Sequence, residues 1–503
     1  MNPSARLQAA LELIALIDIT PRPADALVSG YFRSRRYIGS KDRAAVATMT
    51  YDVLRHLARL DWWVEKICPG ILDAKVPELD REAVRPDSEM DPRLRGDDSE
   101  EEGEEAEDAE TDDEEHSVAV DADIEAPPVL GNKRSRLRLL AFLRLVEGKS
   151  VKFIDELCDN KKFSPDSLNE EERRFLRQLE GHTLLHPSMP DTVTCECPEW
   201  AATSLRRKFG KNFAKEMNAL LRQAPLDLRI NPLKTTRERA MATMKNHDLV
   251  AKNCPYSPFG LRLHERPALN RIALLKDGVV EIQDEGSQLV ALLVDAKPGQ
   301  RVVDFCAGAG GKTLAIAAQM QNKGRITACD VLANRLKRSA IRFRRAGLHN
   351  IEVKPLSTER DPWVKKHKAS CDRVLVDAPC SGTGTWRRNP DARWRSLGPG
   401  LAALVPLQAS ILDNASRLVR PGGRLIYATC SLLPEENELQ IEAFLVAHPE
   451  FQVIPVQQAC TDLPNLPDTG PYLSLTPAQH NTDGFFAAVM ERAAAVKVEE
   501  TAA

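Results

Sequence analysis

Two cysteines fifty positions apart carry the clearest chemical potential in this chain. Cys380 lies in Asp377-Ala378-Pro379-Cys380-Ser381-Gly382-Thr383-Gly384 and Cys430 in Tyr427-Ala428-Thr429-Cys430-Ser431, each just past a short apolar run that reads as a strand. A thiolate is a strong nucleophile, and two at neighbouring strand ends suit transient covalent attack on a cytosine ring. Asp377, at the mouth of the same strand as Cys380, supplies a carboxylate that can hydrogen-bond a base edge. A lone strand-end cysteine is ordinarily an inert buried thiol. Two of them beside an aspartate and a ligand-binding turn read as a site.

That turn lies upstream, in Val302-Val303-Asp304-Phe305-Cys306-Ala307-Gly308-Ala309-Gly310-Gly311-Lys312-Thr313. A strand runs into small residues and then a helix, so backbone can approach a ligand and the helix start offers free N–H groups. A P-loop needs glycine five positions before the glycine of Gly-Lys-Thr, and Cys306 stands there, which argues against a nucleoside triphosphate. Twenty residues past Gly310, Asp330 ends the next strand, where it can accept hydrogen bonds from ribose hydroxyls. By these residues alone, NAD and S-adenosylmethionine are equally served.

Beyond Gly286 the pattern alternates strand and helix: strands at 301–305, 325–329, 351–354, 373–376 and 424–428, and helices from Lys312 and over 333–346, 407–418 and 435–447. This predicts a doubly wound, mostly parallel Rossmann-like α/β sheet over 281–492, with its ligands beyond the carboxyl ends of the strands. A small α+β module is expected over 187–280 and an all-helical domain over 1–186, where apolar residues such as Leu7, Leu11 and Ile14 recur at helical spacing. An insert at about 77–128 and a tail at 493–503 are expected to be disordered, because they hold too little apolar surface to offset ordering entropy.

Residues 97–115 contain 14 acidic side chains and no Lys or Arg, so the net charge of −4 becomes +10 without them. A basic remainder fits a polyanion such as RNA. Tyr31-Phe32-Arg33-Ser34-Arg35-Arg36-Tyr37 could grip phosphates and stack on bases, although a loop with two core tyrosines is the preferred reading. Trp386-Arg387-Arg388-Asn389-Pro390 and Arg393-Trp394-Arg395, just after Cys380, are expected to clamp RNA, with Trp386 and Trp394 as core anchors the equal alternative. No apolar run reaches the roughly 20 residues of a membrane span, and with eleven irregularly spaced cysteines the chain is expected to be cytoplasmic, without disulfides. Cys195-x-Cys197 has no companion pair, so no metal is expected.

Taken in order, Gln283-Asp284-Glu285-Gly286-Ser287-Gln288, the glycine turn, Asp377 to Gly384, Thr429-Cys430-Ser431 and Asp483-Gly484-Phe485-Phe486 resemble the motifs of RsmB or Sun type RNA cytosine carbon-5 methyltransferases, of the Nop and Sun superfamily. The resemblance spans about residues 190–490, and residues 4–146 are similar to the NusB-like RNA-binding domain of RsmB proteins. It implies S-adenosylmethionine as methyl donor, held by Cys306, Ala307, Gly308, Ala309, Gly310, Gly311 and Lys312, with Asp330, Arg335, Ser357 and Asp377 around it. It implies Cys430 as nucleophile on carbon 6, Cys380 in proton removal and product release, and Asp377 in base activation. DNA cytosine methyltransferases use the cysteine of Pro-Cys, which makes Cys380 the rival nucleophile. The family turn reads Cys-Ala-Ala-Pro-Gly-Gly-Lys-Thr, where this chain has Gly308 and Ala309. A family carboxylate aligns with Ser357, with Glu359 and Asp361 as substitutes nearby. The implied product is 5-methylcytosine in 16S ribosomal RNA, made by a monomer. A transfer RNA enzyme and a catalytically idle ribosome assembly factor are the alternatives.

Overall fold

The computed structural model describes residues 1–72, 133–267, 272–395 and 397–494, which form two compact units, Met1–Thr194 and Cys195–Ala503. The acidic insert and all but the first two residues of the expected tail lie outside the described residues. No described helix is long and apolar enough to cross a membrane.

The first unit is helical. Asn2 caps its first helix, Pro3–Ile19, by accepting from the Ala5 N–H, and proline at the helix start needs no partner for the N–H it lacks. Leu7, Leu11 and Ile14 from that helix pack with Leu60, Trp63, Leu140 and Phe175. Arg138 is fully buried among them and donates to Asp18 at 2.8 Å and Asp61 at 2.5 Å, which is what makes its burial tolerable. Tyr31 and Phe32 are core residues of the helix Ala24–Ser34, whereas Tyr37 is 72% exposed, so only one of the two tyrosines is the core residue expected.

In the second unit, β1 (Leu226–Ile230), β2 (Ala251–Asn253), β3 (Gly260–Leu263) and β4 (Val280–Ile282) form an antiparallel sheet in the order β2-β3-β1-β4. The larger sheet comprises β5 (Arg301–Asp304), β6 (Arg325–Asp330), β7 (Ile351–Pro355), β8 (Cys371–Asp377), β9 (Val419–Thr429), β10 (Phe451–Ile454), β11 (Leu473–Leu475) and β12 (Phe485–Arg492). Its order is β10-β12-β9-β8-β5-β6-β7, with β11 beside β12. β5 to β9 are parallel, and β12 enters antiparallel to β9. Both faces are covered: Phe485, Ala487 and Val489 point into one apolar layer with Leu314 and Ile316, and Phe486, Ala488 and Met490 into the other with Ile411 and Phe444.

Two helices depart from the sequence reading. Leu401–Ser416 begins six residues before the expected start, because Pro406 interrupts the pattern yet forfeits only one intrahelical hydrogen bond. The helix expected from Glu435 is a 3-10 turn, Pro434–Glu436, followed by the helix Glu438–Ala447. The break falls at Asn437, whose side chain accepts from Thr429 Oγ1 at 2.5 Å and donates to the Ser431 carbonyl at 2.9 Å.

Candidate active site

The chain reverses its direction of strand addition between β5 and β8, and a crevice at the carboxyl ends is expected at such a point. The glycine turn leaves β5 there. Gly310 has φ +81°, and a Cβ on it would sit 2.6 Å from the Phe343 ring, so only glycine closes the turn against that helix. Asp330, at the end of β6, accepts from the Gly308 N–H at 2.8 Å and the Leu332 N–H at 2.8 Å, fixing the turn to the neighbouring strand. Arg335 lies against Gly308. Asp304 is buried beneath the turn, with Thr313 Oγ1 donating to one carboxyl oxygen at 2.7 Å and the other oxygen without a partner. Burial pushes its pKa up to about 7, with the charges of Asp377 and Asp330 adding to the rise.

Lys312, at the start of the following helix, donates to Asp377 at 2.6 Å. Burial pulls the ammonium down, but Asp377 and the nearby Cys430 sulfur outweigh it and its net shift is upward. The pair therefore joins the glycine turn to the end of β8.

β8 and β9 run in register with Asp377 opposite Ala428, so Cys380 and Cys430 leave adjacent strand ends. Their sulfurs are 3.4 Å apart, and both residues are partly exposed. The hydrogen bond with Cys430 holds the Cys380 thiol well above the ordinary range, and burial and the Glu436 charge push the same way. Three backbone segments are stitched around them: Gly384 N–H donates to the Cys430 carbonyl at 2.9 Å, and Gly484 N–H donates to the Gly384 carbonyl at 2.9 Å.

The RNA clamp expected just after Cys380 is corrected by this arrangement. Trp386 is completely buried in an apolar cluster with Leu205, Leu432 and Leu433. Arg387 and Arg388 pair with Asp284 and Asp483, and buried Arg393 donates to the carbonyls of Glu196 at 3.0 Å and Leu220 at 3.3 Å. These cations serve the interior because buried carboxylates and carbonyls from distant segments converge on them. Ser357 is exposed and donates through both N–H and Oγ to Asp361 at 2.9 Å, while Asp361 also caps the helix Pro362–Lys366. The nearby Glu359 accepts from Ser410 at 2.8 Å.

A family model described as 16S rRNA methyltransferase RsmB/F matches residues 291–491, and an RsmF/B-like ferredoxin-like domain model matches residues 197–270. A probable ribosomal RNA small subunit methyltransferase B from Synechocystis sp. is 37% identical over 298 residues, which cover 59% of this chain and 67% of the relative. A ribosomal RNA small subunit methyltransferase B from Pasteurella multocida is 33% identical over 323 residues, covering 64% of this chain and 70% of that protein. This chain belongs to the RsmB family. The crystal structure of PH0851 shares the fold, with a TM-score of 0.71 at 22% identity over 98% of this chain and 99% of that one.

RsmB-type enzymes are S-adenosylmethionine-dependent methyltransferases, and the residues present fit that donor. The unpartnered Asp304 oxygen leaves a buried acceptor beneath the turn. Each Asp330 oxygen has engaged one backbone N–H and retains a lone pair for a hydroxyl. Every candidate from Cys306 to Lys312, with Asp330, Arg335 and Asp377, gathers at the carboxyl end of β5, β6 and β8. Sequence reasoning missed Glu436 and Asn437. The signal was available in Pro434-Glu435-Glu436-Asn437, a polar cluster directly after an apolar stretch.

Proposed function

We propose that this chain methylates carbon 5 of a cytosine in small-subunit ribosomal RNA, with Cys430 as the transient covalent nucleophile. The observation that carries the reading is the pair of sulfurs 3.4 Å apart beside the Lys312–Asp377 pair.

Cytosine carbon 5 is a weak nucleophile until a thiolate adds to carbon 6. The Cys430 sulfur forms a bond to carbon 6, and the ring double bond's electron pair becomes available at carbon 5. Asp377 hydrogen-bonds the base edge and stabilises charge as it develops, while the Lys312 ammonium fixes the carboxylate. When bound, S-adenosylmethionine would supply an electrophilic methyl group to carbon 5, its sulfonium–methyl bond breaking to leave a neutral thioether. Cys380 begins as a thiol hydrogen-bonded with Cys430. Once Cys430 is bonded to the ring, that hydrogen bond and charge are gone, and the partly exposed Cys380 can release its thiol proton to solvent and, as the thiolate, take the carbon-5 proton. The carbon 6–sulfur bond then breaks, the double bond re-forms, and the Cys430 thiolate returns. The target base must leave its stack to reach these sulfurs.

The helical unit is the proposed RNA-binding domain, supported by the basic balance of the chain outside 97–115 and by exposed Arg36 and Tyr37. Bisulfite sequencing of RNA from a strain lacking the gene tests the whole reading. Loss of one 16S cytosine signal, restored by wild type and not by Cys430→Ala, is expected. Loss confined to transfer RNA would redirect the substrate, and no loss anywhere would refute methylation. Cys380→Ala should accumulate a covalent RNA complex, and accumulation in Cys430→Ala instead would exchange the two roles.

A further inference from the structure

We propose that Glu436 is a positioning residue that spans the two cysteine loops and holds their sulfurs at reacting separation. This rests on the two-cysteine reading above. Glu436 is fully buried in the 3-10 turn Pro434–Glu436, and its carboxylate is held from both loops at once. From the Cys380 loop, the Ser381 N–H donates to Oε1 at 2.8 Å and the Ser381 hydroxyl to Oε2 at 2.5 Å. From the Cys430 loop, the Ser431 hydroxyl donates to Oε2. Gln408, on the helix Leu401–Ser416, donates to Oε1 at 2.9 Å, and the Glu436 carbonyl accepts from the buried Tyr427 hydroxyl at 2.7 Å.

Each serine bound by Glu436 directly follows a cysteine in sequence, so one side chain fixes the residue next to each sulfur. The strand ladder ends before both cysteines, and the backbone tie between their loops, from the Gly384 N–H to the Cys430 carbonyl, does not reach Cys380. Neighbouring ties reinforce the span: Glu435 accepts from Ser204 at 2.7 Å and Arg207 at 2.6 Å, and Asn437 holds Thr429 and the Ser431 carbonyl. The turn thereby links the helix Glu199–Phe209 to the sulfur pair.

Three variants separate span from charge. Glu436→Gln keeps the length, and its amide can satisfy both serine hydroxyls, which can rotate to accept. Glu436→Asp keeps the charge but retracts it by one methylene, and Glu436→Ala removes the tie. Two readouts are used. In the first, diamide takes two electrons and two protons from the Cys380 and Cys430 thiols and becomes the hydrazine, leaving a disulfide whose rate of formation is followed by peptide mass. In the second, kcat and KM for RNA methylation are measured.

Glu436→Gln is expected to crosslink and turn over within about 3-fold of wild type, while Glu436→Asp loses about 100-fold in kcat with KM nearly unchanged, the scale of a 1 Å misplacement. Crosslinking should slow in Glu436→Asp and Glu436→Ala alike. If Glu436→Ala does not fold, the Gln and Asp variants carry the test. A Glu436→Asp variant that crosslinks at the wild-type rate overturns the proposal, as does Glu436→Gln damaged as severely as Glu436→Asp. Glu436-dependent crosslinking in a wild type that methylates nothing would leave the span standing and refute the functional reading instead.

Discussion

Asp304→Asn should flatten part of the pH dependence of stability. Burial raises this carboxyl from an ordinary value of 3.8 to about 7, so between those limits the folded state binds a proton that the unfolded state has lost. Stability from this group is complete below pH 3.8 and is lost as pH rises through 7. At about 1.4 kcal/mol per pH unit the full loss is about 4 kcal/mol, of which about 3 kcal/mol falls between pH 5 and 8. Asparagine does not titrate and can still accept from Thr313, but its amide N–H would be placed where no partner exists, at a cost of about 1–3 kcal/mol. The net gain at pH 8 is therefore small, and the change of slope is the diagnostic quantity. Amide exchange at positions 302, 303 and 304, measured at pH 5 and 8, reports opening of β5 in both proteins once intrinsic exchange rates are corrected for the substitution. The ratio of opening constants should shift by about 100-fold in favour of the variant between the two pH values. An unchanged ratio would mean that Asp304 is not held protonated by burial, and the account of the turn would fail.

Gly384→Ala would drive a Cβ to 2.2 Å from the Gly484 carbonyl oxygen and 2.7 Å from that of Cys430, so a loss of about 3 kcal/mol or more in thermal unfolding and loss of methylation are expected. Arg393→Met should lower stability by about 2–3 kcal/mol, because two buried carbonyls lose their donor, yet leave the salt dependence of RNA binding unchanged in filter-binding titrations. Asp330→Ala removes the acceptors of two backbone N–H groups and the proposed ribose contact, so KM for the methyl donor should rise more than about 10-fold, while kcat at saturation changes little.

The parallel core was legible because β5, β6, β8 and the second half of β9 are short, largely apolar runs, whereas Arg420-Pro421-Gly422-Gly423 hid the first half of β9. Asp377, Cys380 and Cys430 were legible for the same reason, since strand ends in such a sheet face its ligands. Trp386 is the core anchor that was its alternative reading, and Arg393 was misjudged because a cation beside an aromatic has the same local composition whether it meets RNA or a buried carbonyl. Only the partners, Glu196 and Leu220 for Arg393, separate the two cases, and they lie more than 170 positions away. Glu436 was missed on similar grounds: an acidic residue in a polar turn ordinarily faces water, and its burial follows from serines contributed by two separate loops.

The antiparallel insertion of β12 has a consequence for synthesis. The sulfurs of Cys380 and Cys430 leave the ribosome well before Gly484, whose N–H meets Gly384, and before the strand that pairs with β9. A nascent chain that has only just exposed position 430 carries both cysteines on unfinished loops, with one edge of β9 open. On the proposed mechanism the pocket is completed only when that strand arrives, and a polypeptide released short of that point would bear both thiols without the Gly484 contact that closes their loops.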